Sequence, residues 1–370
     1  MTPKERVHAA LRREPVDRVP VFMWFHPQTA RRLAGLLDIP ASQVSAAMGD
    51  DVRMTWVNNN YAMEGIVHEN EGEGHADEWG IRWVKEGAFN QPVGFPLAGA
   101  SRDEALAYAF PEDRMDFLLG LMRPVLEQKE RFFIGCDVSP CVFEMYWRLR
   151  GLENAILDMA ADPELTAAMF AKCARFALDL STRACAEMPL DWLWCGDDVA
   201  GQHSMIMDPV QWREVIKPLM AGIFAAGKER GMWVANHCCG ALRPIIPDLI
   251  EIGLDVLNPI QAGCAGMDAL ELKRDFGASL AFMGGVDTQE LLPFGTAVQV
   301  RTATERLIEG MTAPVGGRGA GGFILAASHT IPPETPDENI FALYAAAGIS
   351  REEIFSRAAE IRSGGRGAQK

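Results

Sequence analysis

Short apolar runs that end in polar or turn residues recur along the chain and predict eight β-strands. Helix-like stretches with apolar residues at three- and four-residue spacing separate most of these runs. Strands that alternate with helices pair in parallel, so the pattern predicts an α/β chain built as a single (β/α)8 TIM-like barrel with an N-terminal helical extension. The eight runs cover residues 18–25, 50–57, 131–138, 190–196, 231–237, 254–260, 280–286 and 321–327.

Residues 58–130 interrupt this alternation after the second predicted strand. The segment 75–99, HADEWGIRWVKEGAFNQPVGFPLAG, has the alternation and glycines of a hairpin. We therefore interpret 58–130 as an insertion over one barrel mouth. Residues 1–362 are predicted to form one domain, and the tail 363–370, rich in glycine and charge, is predicted to be disordered.

The charge balance narrows the classes of partner. The chain has 35 basic and 50 acidic residues and a net charge of -15, which argues against binding nucleic acid or an anionic membrane. No apolar signal core follows the amphipathic N-terminus, and no 18-residue apolar span occurs later. The eight cysteines lie mostly singly in apolar segments, which favours a reducing compartment. We expect a cytoplasmic protein and leave a homodimer open.

Polar residues follow the predicted strands, where the working residues of a barrel lie. Three of the seven histidines stand at such ends, a pattern that favours a site at the barrel mouth. The residues at these ends are His26, 58–60, Asp137, Asp197, Asp198, His237, Cys239, Gln261, Asp287, Ser328 and His329.

The segment 231–240, GMWVANHCCG, is the strongest metal candidate. On an extended strand, side chains two residues apart point to the same side, so His237 and Cys239 would face the mouth while Cys238 turns away. Imidazole nitrogen and thiolate sulfur suit zinc, which in catalytic sites takes three protein ligands and keeps one open position. We expect His329 to be the third ligand. The alternatives for that position are Cys195, Glu144, Asp197 and Cys264.

The same three residues have a simpler interpretation, in which HCC is a set of small, partly buried thiols packed behind a turn. H-x-C spacing by itself does not exclude it. Longer segments favour the metal interpretation because they carry a family resemblance. They are KERVHAALRREPVDRVPV, DEWGIRW, GDDVAGQHSMIMDPVQWREVIKPLM, HCCG after GMWVAN, DLIEIGLDVLNPIQ, LAFMGGVDTQELLPFGT and GGFILAASHTIPPETPDENIFALYAAAG.

Over nearly its whole length the chain resembles the uroporphyrinogen decarboxylase superfamily, and within it the corrinoid-dependent methyltransferases. The resemblance implies a (β/α)8 barrel, in agreement with the strand count. It also implies that H-x-C-G, here His237, Cys239 and Gly240, binds zinc together with a later cysteine. The corresponding late segment, AASHTIPP, has His329 and no cysteine.

A second departure separates this chain from the decarboxylases of the superfamily. Those enzymes carry an arginine-rich RQAGR-type stretch after the first strand, which grips the carboxylates of the substrate. Here the stretch reads FHPQTARRLAG, with Arg31 and Arg32 deeper in the following helix. A tetrapyrrole with eight carboxylates therefore lacks its expected anchors, which disfavours uroporphyrinogen decarboxylation.

The third ligand also bears on the direction of methyl transfer. Two thiolates and one imidazole on a divalent ion sum to zero charge, whereas one thiolate and two imidazoles leave +1. The more electrophilic ion suits withdrawal of electrons from a leaving group. We therefore expect zinc-dependent transfer of a methyl group from a small methylated substrate, such as a methoxylated aromatic compound, to a corrinoid. The chain has no D-x-H-x-x-G corrinoid pattern, so the corrinoid is expected on a separate protein.

The remaining residue roles are expectations from position. Asp197 and Asp198 are predicted to be catalytic, by orienting a zinc-bound imidazole or accepting a proton, with a helix cap as the alternative. Glu144 is either a ligand or a residue near the start of a helix whose charge interacts favourably with the helix macrodipole. The predicted substrate-binding residues are His26, Asn58, Glu144, Trp194, His203, Gln261 and Ser328.

Three other functions stay open at this point. One is a metal-free lyase of the decarboxylase kind, which would stabilise a carbanion through Asp and His. Another is a methylcobamide:thiol methyltransferase. The third is a non-enzymatic accessory protein that binds a metal or a corrinoid.

Overall fold

The computed structural model describes residues 1–58 and 68–367. Within that part of the chain, the strands are β1 (Val52–Trp56), β2 (Gly74–Ala76), β3 (Arg82–Glu86), β4 (Phe89–Gly94), β5 (Phe133–Asp137), β6 (Trp192–Gly196), β7 (Trp233–His237), β8 (Val256–Ile260), β9 (Ala281–Val286) and β10 (Phe323–Ala327).

The α-helices of the same residues are α1 (Pro3–Arg12), α2 (Pro27–Leu37), α3 (Val44–Met48), α4 (Arg102–Ala107), α5 (Met115–Gly120), α6 (Arg123–Leu126), α7 (Phe143–Arg150), α8 (Leu152–Ala161), α9 (Pro163–Glu187), α10 (Pro209–Val215), α11 (Lys217–Lys228), α12 (Ile246–Glu251), α13 (Ala269–Phe276), α14 (Leu291–Phe294), α15 (Ala297–Thr312), α16 (Asp337–Ala346) and α17 (Arg351–Gly367).

One sheet carries the alternating part of the chain, in the order β1-β5-β6-β7-β8-β9-β10. Strand β6 pairs in parallel with β5 and β7, and β9 pairs in parallel with β10. Every residue of β5, β6, β8 and β10 is buried, which is typical of parallel strands covered on both faces. The α/β, TIM-barrel-like fold class predicted from the sequence is confirmed.

Seven of the eight predicted strands are present, each within two residues of the expected bounds. The prediction for 18–25 is wrong in part, because this segment forms only isolated bridges, from Val21 to Leu325 and from Phe25 to Ile331. Between the two bridges, three residues on one side face five on the other, and these two surplus residues interrupt the ladder. The segment still pairs with β10 at Leu325, as the first predicted strand of a barrel would pair with the eighth.

The chain forms two compact units. The first comprises Met1–Arg53, Glu130–Phe133 and the chain from Leu257 onward, and the second comprises Met54–Lys129 and Ile134–Val256. The prediction of one domain over 1–362 stays a prediction. Helix α17 continues through Gly367 and so includes the first residues of the predicted tail, whereas 368–370 lie outside the described residues.

The described part of the predicted insertion contains a three-stranded antiparallel sheet in the order β2-β3-β4. The sheet therefore has one strand more than the predicted hairpin. A single carboxylate fixes its first turn, because Asp77 accepts hydrogen bonds from the backbone N–H groups of Trp79 and Ile81 and from the indole of Trp83. All three of these donors belong to buried residues, so the turn is anchored in a core.

None of the helices in the described residues is both long and apolar enough to cross a lipid bilayer.

Candidate metal centre

The two residues of the H-x-C motif lie at the end of β7 and share one side of the chain. His237 and Cys239 are partly exposed, whereas Cys238 between them is 1% exposed. The Cys239 Sγ lies 3.4 Å from His237 Nε2. A tetrahedral zinc with bonds of about 2.0–2.3 Å separates such a nitrogen and sulfur by roughly 3.5 Å. The pair therefore has the spacing of two ligands of one ion.

A third predicted ligand belongs to the same group. His237, Cys239 and His329 each offer one ligand atom, and these atoms lie within 4.8 Å of one another. His329 follows β10 and is partly exposed. This His-Cys-His group can bind a metal ion, because its nitrogen and sulfur donors match what zinc prefers.

Close backbone contacts require a glycine directly after Cys239. Gly240 has a φ of +96°, and a Cβ there would lie 2.6 Å from the Gly201 carbonyl oxygen and 2.8 Å from that of Ala200. The Ala241 N–H donates to the same Gly201 oxygen at 2.8 Å. The H-x-C loop is thus pressed against the loop that follows β6, and only glycine permits this approach.

A series of hydrogen bonds holds the backbone of the H-x-C loop. The Cys239 N–H donates to Asp198 Oδ1 at 2.8 Å. The Asp198 N–H in turn donates to Glu144 Oε2 at 3.3 Å, and Arg148 Nη2 donates to the other oxygen of Glu144. Asp198 is partly exposed, whereas Glu144 and Arg148 are 8% and 3% exposed. Asp198 therefore contacts the motif directly, and Glu144 acts one step behind it.

The carboxylate of Asp197 is engaged with the start of a helix, and its predicted catalytic role stays a prediction. Its carboxylate accepts the backbone N–H groups of Val142, Phe143 and Glu144 at 2.8 to 3.1 Å, so it caps the first turn of α7. Burial, with the nearby Glu144 charge adding to it, raises the pKa of Asp197 to about 7 although these three N–H groups lower it. This geometry matches the helix-cap alternative left open by the sequence.

Two of the predicted substrate-binding residues are engaged in local structure. His26 is 4% exposed and caps α2, since its Nδ1 accepts the Gln28 N–H at 3.2 Å. Asn58 is 1% exposed and donates from its side chain to the carbonyls of Val138 and Pro140. The neighbouring predicted positions, 59 and 60, lie outside the described residues. Substrate contact by His26 and Asn58 stays a prediction.

The other predicted substrate-binding residues differ in exposure. Trp194 is buried on β6, with its ring centroid 6.5 Å from that of His237, and so packs near the motif. Ser328 is buried and donates to the Val286 carbonyl at 3.1 Å. His203 is exposed and Gln261 is partly exposed. Their roles stay predictions.

The alternative thiol ligands are less suited to hold a metal. Cys195 is fully buried and Cys264 is 5% exposed. Burial raises the pKa of both thiols, most strongly for Cys195, which disfavours the thiolate that a metal needs. Asp287, another predicted strand-end residue, accepts the N–H groups of three residues at the start of α14. Asp137 accepts both the N–H and the hydroxyl of Ser139.

Arg148 is not among the site residues predicted from the sequence. This buried guanidinium pairs with Glu144 and lies 5.6 to 5.8 Å from the ring centroids of Trp56, Trp83 and Trp147. The i,i+4 spacing of Glu and Arg in FEMYWR was the available signal, but on a surface helix the same spacing gives only a weak exposed pair.

Comparison with known proteins assigns the chain to a family. Residues 100–348, more than half of the chain, match the model of the family described as uroporphyrinogen decarboxylase (URO-D). Two proteins named uroporphyrinogen decarboxylase, from two strains of Thermus thermophilus, are each 26% identical over 250 residues, which cover 66% of this chain and 67% of theirs.

A solved structure shares the fold. It is described as a methyltransferase from Methanosarcina mazei, with a TM-score of 0.65 and 20% identity over 94% of this chain and 98% of that one. At this identity the likeness shows a common architecture. The family match rests on the sequence, and it includes β7 with its H-x-C-G motif and the segment after β10. The chain belongs to the uroporphyrinogen decarboxylase family.

Proposed function

We propose that this chain is a zinc-dependent methyltransferase that transfers a methyl group from a small methylated substrate, such as a methoxylated aromatic compound, to a corrinoid carried by a separate protein. The observation that carries the proposal is the His237, Cys239 and His329 group, whose ligand atoms lie within 4.8 Å of one another. Membership in an enzyme family and a fold shared with a described methyltransferase support it.

The donor set supports transfer away from an ether. One thiolate and two imidazoles leave a formal charge of +1 on a bound zinc ion, which would polarise the oxygen that leaves with the electron pair. A zinc ion held by His237, Cys239 and His329 would supply this polarisation, and the corrinoid would supply the nucleophile that accepts the methyl group while the ether oxygen leaves with the bonding electrons and takes up a proton. The corrinoid is here a co-substrate presented by its carrier.

The residues around the motif would support this step by holding the ligands. Asp198 accepts the backbone N–H of Cys239 and so holds the backbone that carries this thiol. Trp194 is buried beside the His237 ring, with the two ring centroids 6.5 Å apart, and would limit the orientations of that imidazole. In this proposal Asp198 takes the positioning role, and Asp197 secures α7 and does not act on the substrate.

The second candidate is a metal-free lyase, and the names of the two Thermus thermophilus relatives favour it. The arginines after the first predicted strand argue against it. Arg32 is already engaged, since its guanidinium bonds to Asp337 at 2.7 Å and to the carbonyls of Pro333 and Thr335 at 2.6 Å. It is therefore not disposed to bind the carboxylates of a tetrapyrrole.

The proposal is tested by elemental analysis of protein purified without an affinity tag. We expect close to one zinc per chain in the wild type, little in Cys239→Ser, and wild-type content in Cys238→Ser. The two variants remove adjacent thiols, of which only the first faces the proposed site. Equal zinc in Cys239→Ser and the wild type would exclude this metal site.

Turnover distinguishes the two candidate functions. The wild type is mixed with cob(I)alamin and a methoxylated aromatic compound, and the loss of the cobalt(I) absorbance is followed with and without a chelator. We expect methyl transfer that a chelator abolishes. Decarboxylation of uroporphyrinogen that survives the chelator would favour the lyase, and zinc binding without either activity would favour an accessory protein.

A further inference from the structure

We infer that Glu144 is a positioning residue for the H-x-C loop, residues 237–240. With Arg148 it connects this loop to strand β3 of the insertion. Cys239 is fixed by Asp198, Asp198 by Glu144, and Glu144 by Arg148. The inference rests on the proposed function for its meaning in catalysis. Its physical content, the placement of the Cys239 backbone, does not need a metal.

The two oxygens of Glu144 face two different donors. Oε2 accepts the Asp198 N–H at 3.3 Å, and Oε1 accepts Arg148 Nη2. A carboxylate satisfies both donors, because both of its oxygens accept. An amide has one oxygen and one NH2 group, so Gln at this position would set a donor against either Arg148 or Asp198. The isosteric change Glu144→Gln therefore breaks the series at one bond whichever way the amide turns.

Arg148 is held from the side of the insertion. Trp83 of β3 is 1% exposed, and its ring centroid lies 5.6 Å from the Arg148 guanidinium carbon. Trp56, at the end of β1, lies at the same distance. Guanidinium over aromatic faces is attractive, and burial among the rings leaves Arg148 few alternative positions. The position of Glu144 thus depends on the packing of the insertion sheet.

The local charges explain why a buried arginine is needed here. Glu144 and Asp197 interact electrostatically, and both add to the field at the buried Cys238 thiol together with Asp198. Three carboxylates beside the H-x-C loop favour a cation at the loop but repel one another. Arg148 offsets part of this repulsion through its ion pair with Glu144.

The test compares two variants of the same kind in neighbouring helices. Glu144→Gln removes one carboxylate paired with Arg148 on α7. The matched control is Asp158→Asn, which removes a carboxylate of α8. Asp158 pairs with Arg150 at 2.7 Å and accepts a hydrogen bond from the Tyr146 hydroxyl. Tyr146 and Arg150 lie on the face of α7 opposite to Glu144 and Arg148. Both changes remove a comparably buried ion pair, so both are expected to lower the melting temperature.

The first readout is the thiol chemistry of metal-free protein. Of the eight cysteines, all in the described part of the chain, only Cys239 is not buried, so a small alkylating reagent reports on it selectively. We expect Glu144→Gln to raise the alkylation rate of Cys239 by at least about threefold, as loss of one loop-holding hydrogen bond predicts. Asp158→Asn should leave that rate at the wild-type value.

The second readout is the release of zinc to a chromogenic chelator. Loss of a residue that holds metal ligands in place without binding the metal typically weakens metal binding by about tenfold or more. We therefore expect Glu144→Gln to release zinc faster than both the wild type and Asp158→Asn. Equal alkylation in Glu144→Gln and Asp158→Asn overturns the inference. If the wild type binds no zinc while Glu144→Gln still changes Cys239 alkylation, the proposed function fails and the positioning role stands.

Discussion

At the scale of single residues, the candidate centre depends on which side of the chain each side chain takes. Cys238 and Cys239 are chemically identical and adjacent, but one is 1% exposed and the other is partly exposed. The alternation of an extended strand predicts this difference, and the sequence was sufficient to assign it. The hydrogen bond from the Cys239 N–H to the Asp198 carboxylate could not be predicted, because it joins residues 41 positions apart.

Substitution of Gly240 tests how tightly the two loops approach. In Gly240→Ala the new methyl group would meet two backbone oxygens and the residue would keep a positive φ, so we expect a loss of stability of more than about 2 kcal/mol. The control is Gly222→Ala in helix α11, where no atom lies within 4 Å of the added Cβ, and a gain of about 0.5–1 kcal/mol is expected. Urea unfolding measures both. Equal stabilities of the two variants would contradict the proposed contact.

At the scale of elements, helix α7 begins at a carboxylate that belongs to the loop after β6. Asp197 binds three N–H groups at the helix start, so β6 and α7 are joined by a side chain from one and the backbone of the other. The residue before the helix, Val142, has no side-chain acceptor of its own. A capping residue supplied from elsewhere in the chain gives no local sequence signal.

Removal of this cap is expected to cost more than removal of an ordinary one. Asp197→Ala leaves three buried N–H groups without their acceptor, and we expect it to lower the free energy of unfolding by about 2 kcal/mol or more. The comparison is Asp208→Ala, which removes one cap contact at the exposed start of α10 and should cost about 1 kcal/mol or less. Urea titration followed by circular dichroism measures both. A smaller loss in Asp197→Ala than in Asp208→Ala would exclude the capping role.

The elements themselves were largely predictable. Seven predicted runs form strands, because buried parallel strands are short and largely apolar, and such runs can be recognised in a single sequence. The run 18–25 has the same composition, yet its ladder is broken by two surplus residues in the partner segment. Register depends on that partner segment, so composition alone could not have shown the break.

At the scale of the whole molecule, the dependence of stability on pH involves a buried carboxylate in the segment just before β1. Asp50 is fully buried and accepts hydrogen bonds from the hydroxyls of Ser45 and Tyr344. Burial raises its pKa from 3.8 to about 6, although these bonds and Arg53 oppose the rise. Between pH values of about 4 and 6 the folded chain therefore keeps a proton that the unfolded chain has released.

The sign of the pH effect follows from that difference. Because the pKa is higher in the folded state, the free energy of unfolding falls as the pH rises through the window of about 4 to 6. In Asp50→Asn this contribution is absent, while the amide oxygen still accepts from Tyr344. We expect the stability of the wild type relative to Asp50→Asn to decline by about 1–3 kcal/mol from pH 4 to pH 7. Parallel stability curves for the two proteins would show that Asp50 does not titrate in this range.

The glycine at the end of H-x-C-G has a consequence for recognising related enzymes. Two carbonyl oxygens require glycine at position 240 whatever the loop binds, whereas only the proposed metal site requires His237 and Cys239. A related chain without that metal would therefore still need the glycine, because the same two loops meet there. Glycine at this position would then mark the shared loop geometry, and only the histidine and the cysteine would indicate metal-dependent chemistry.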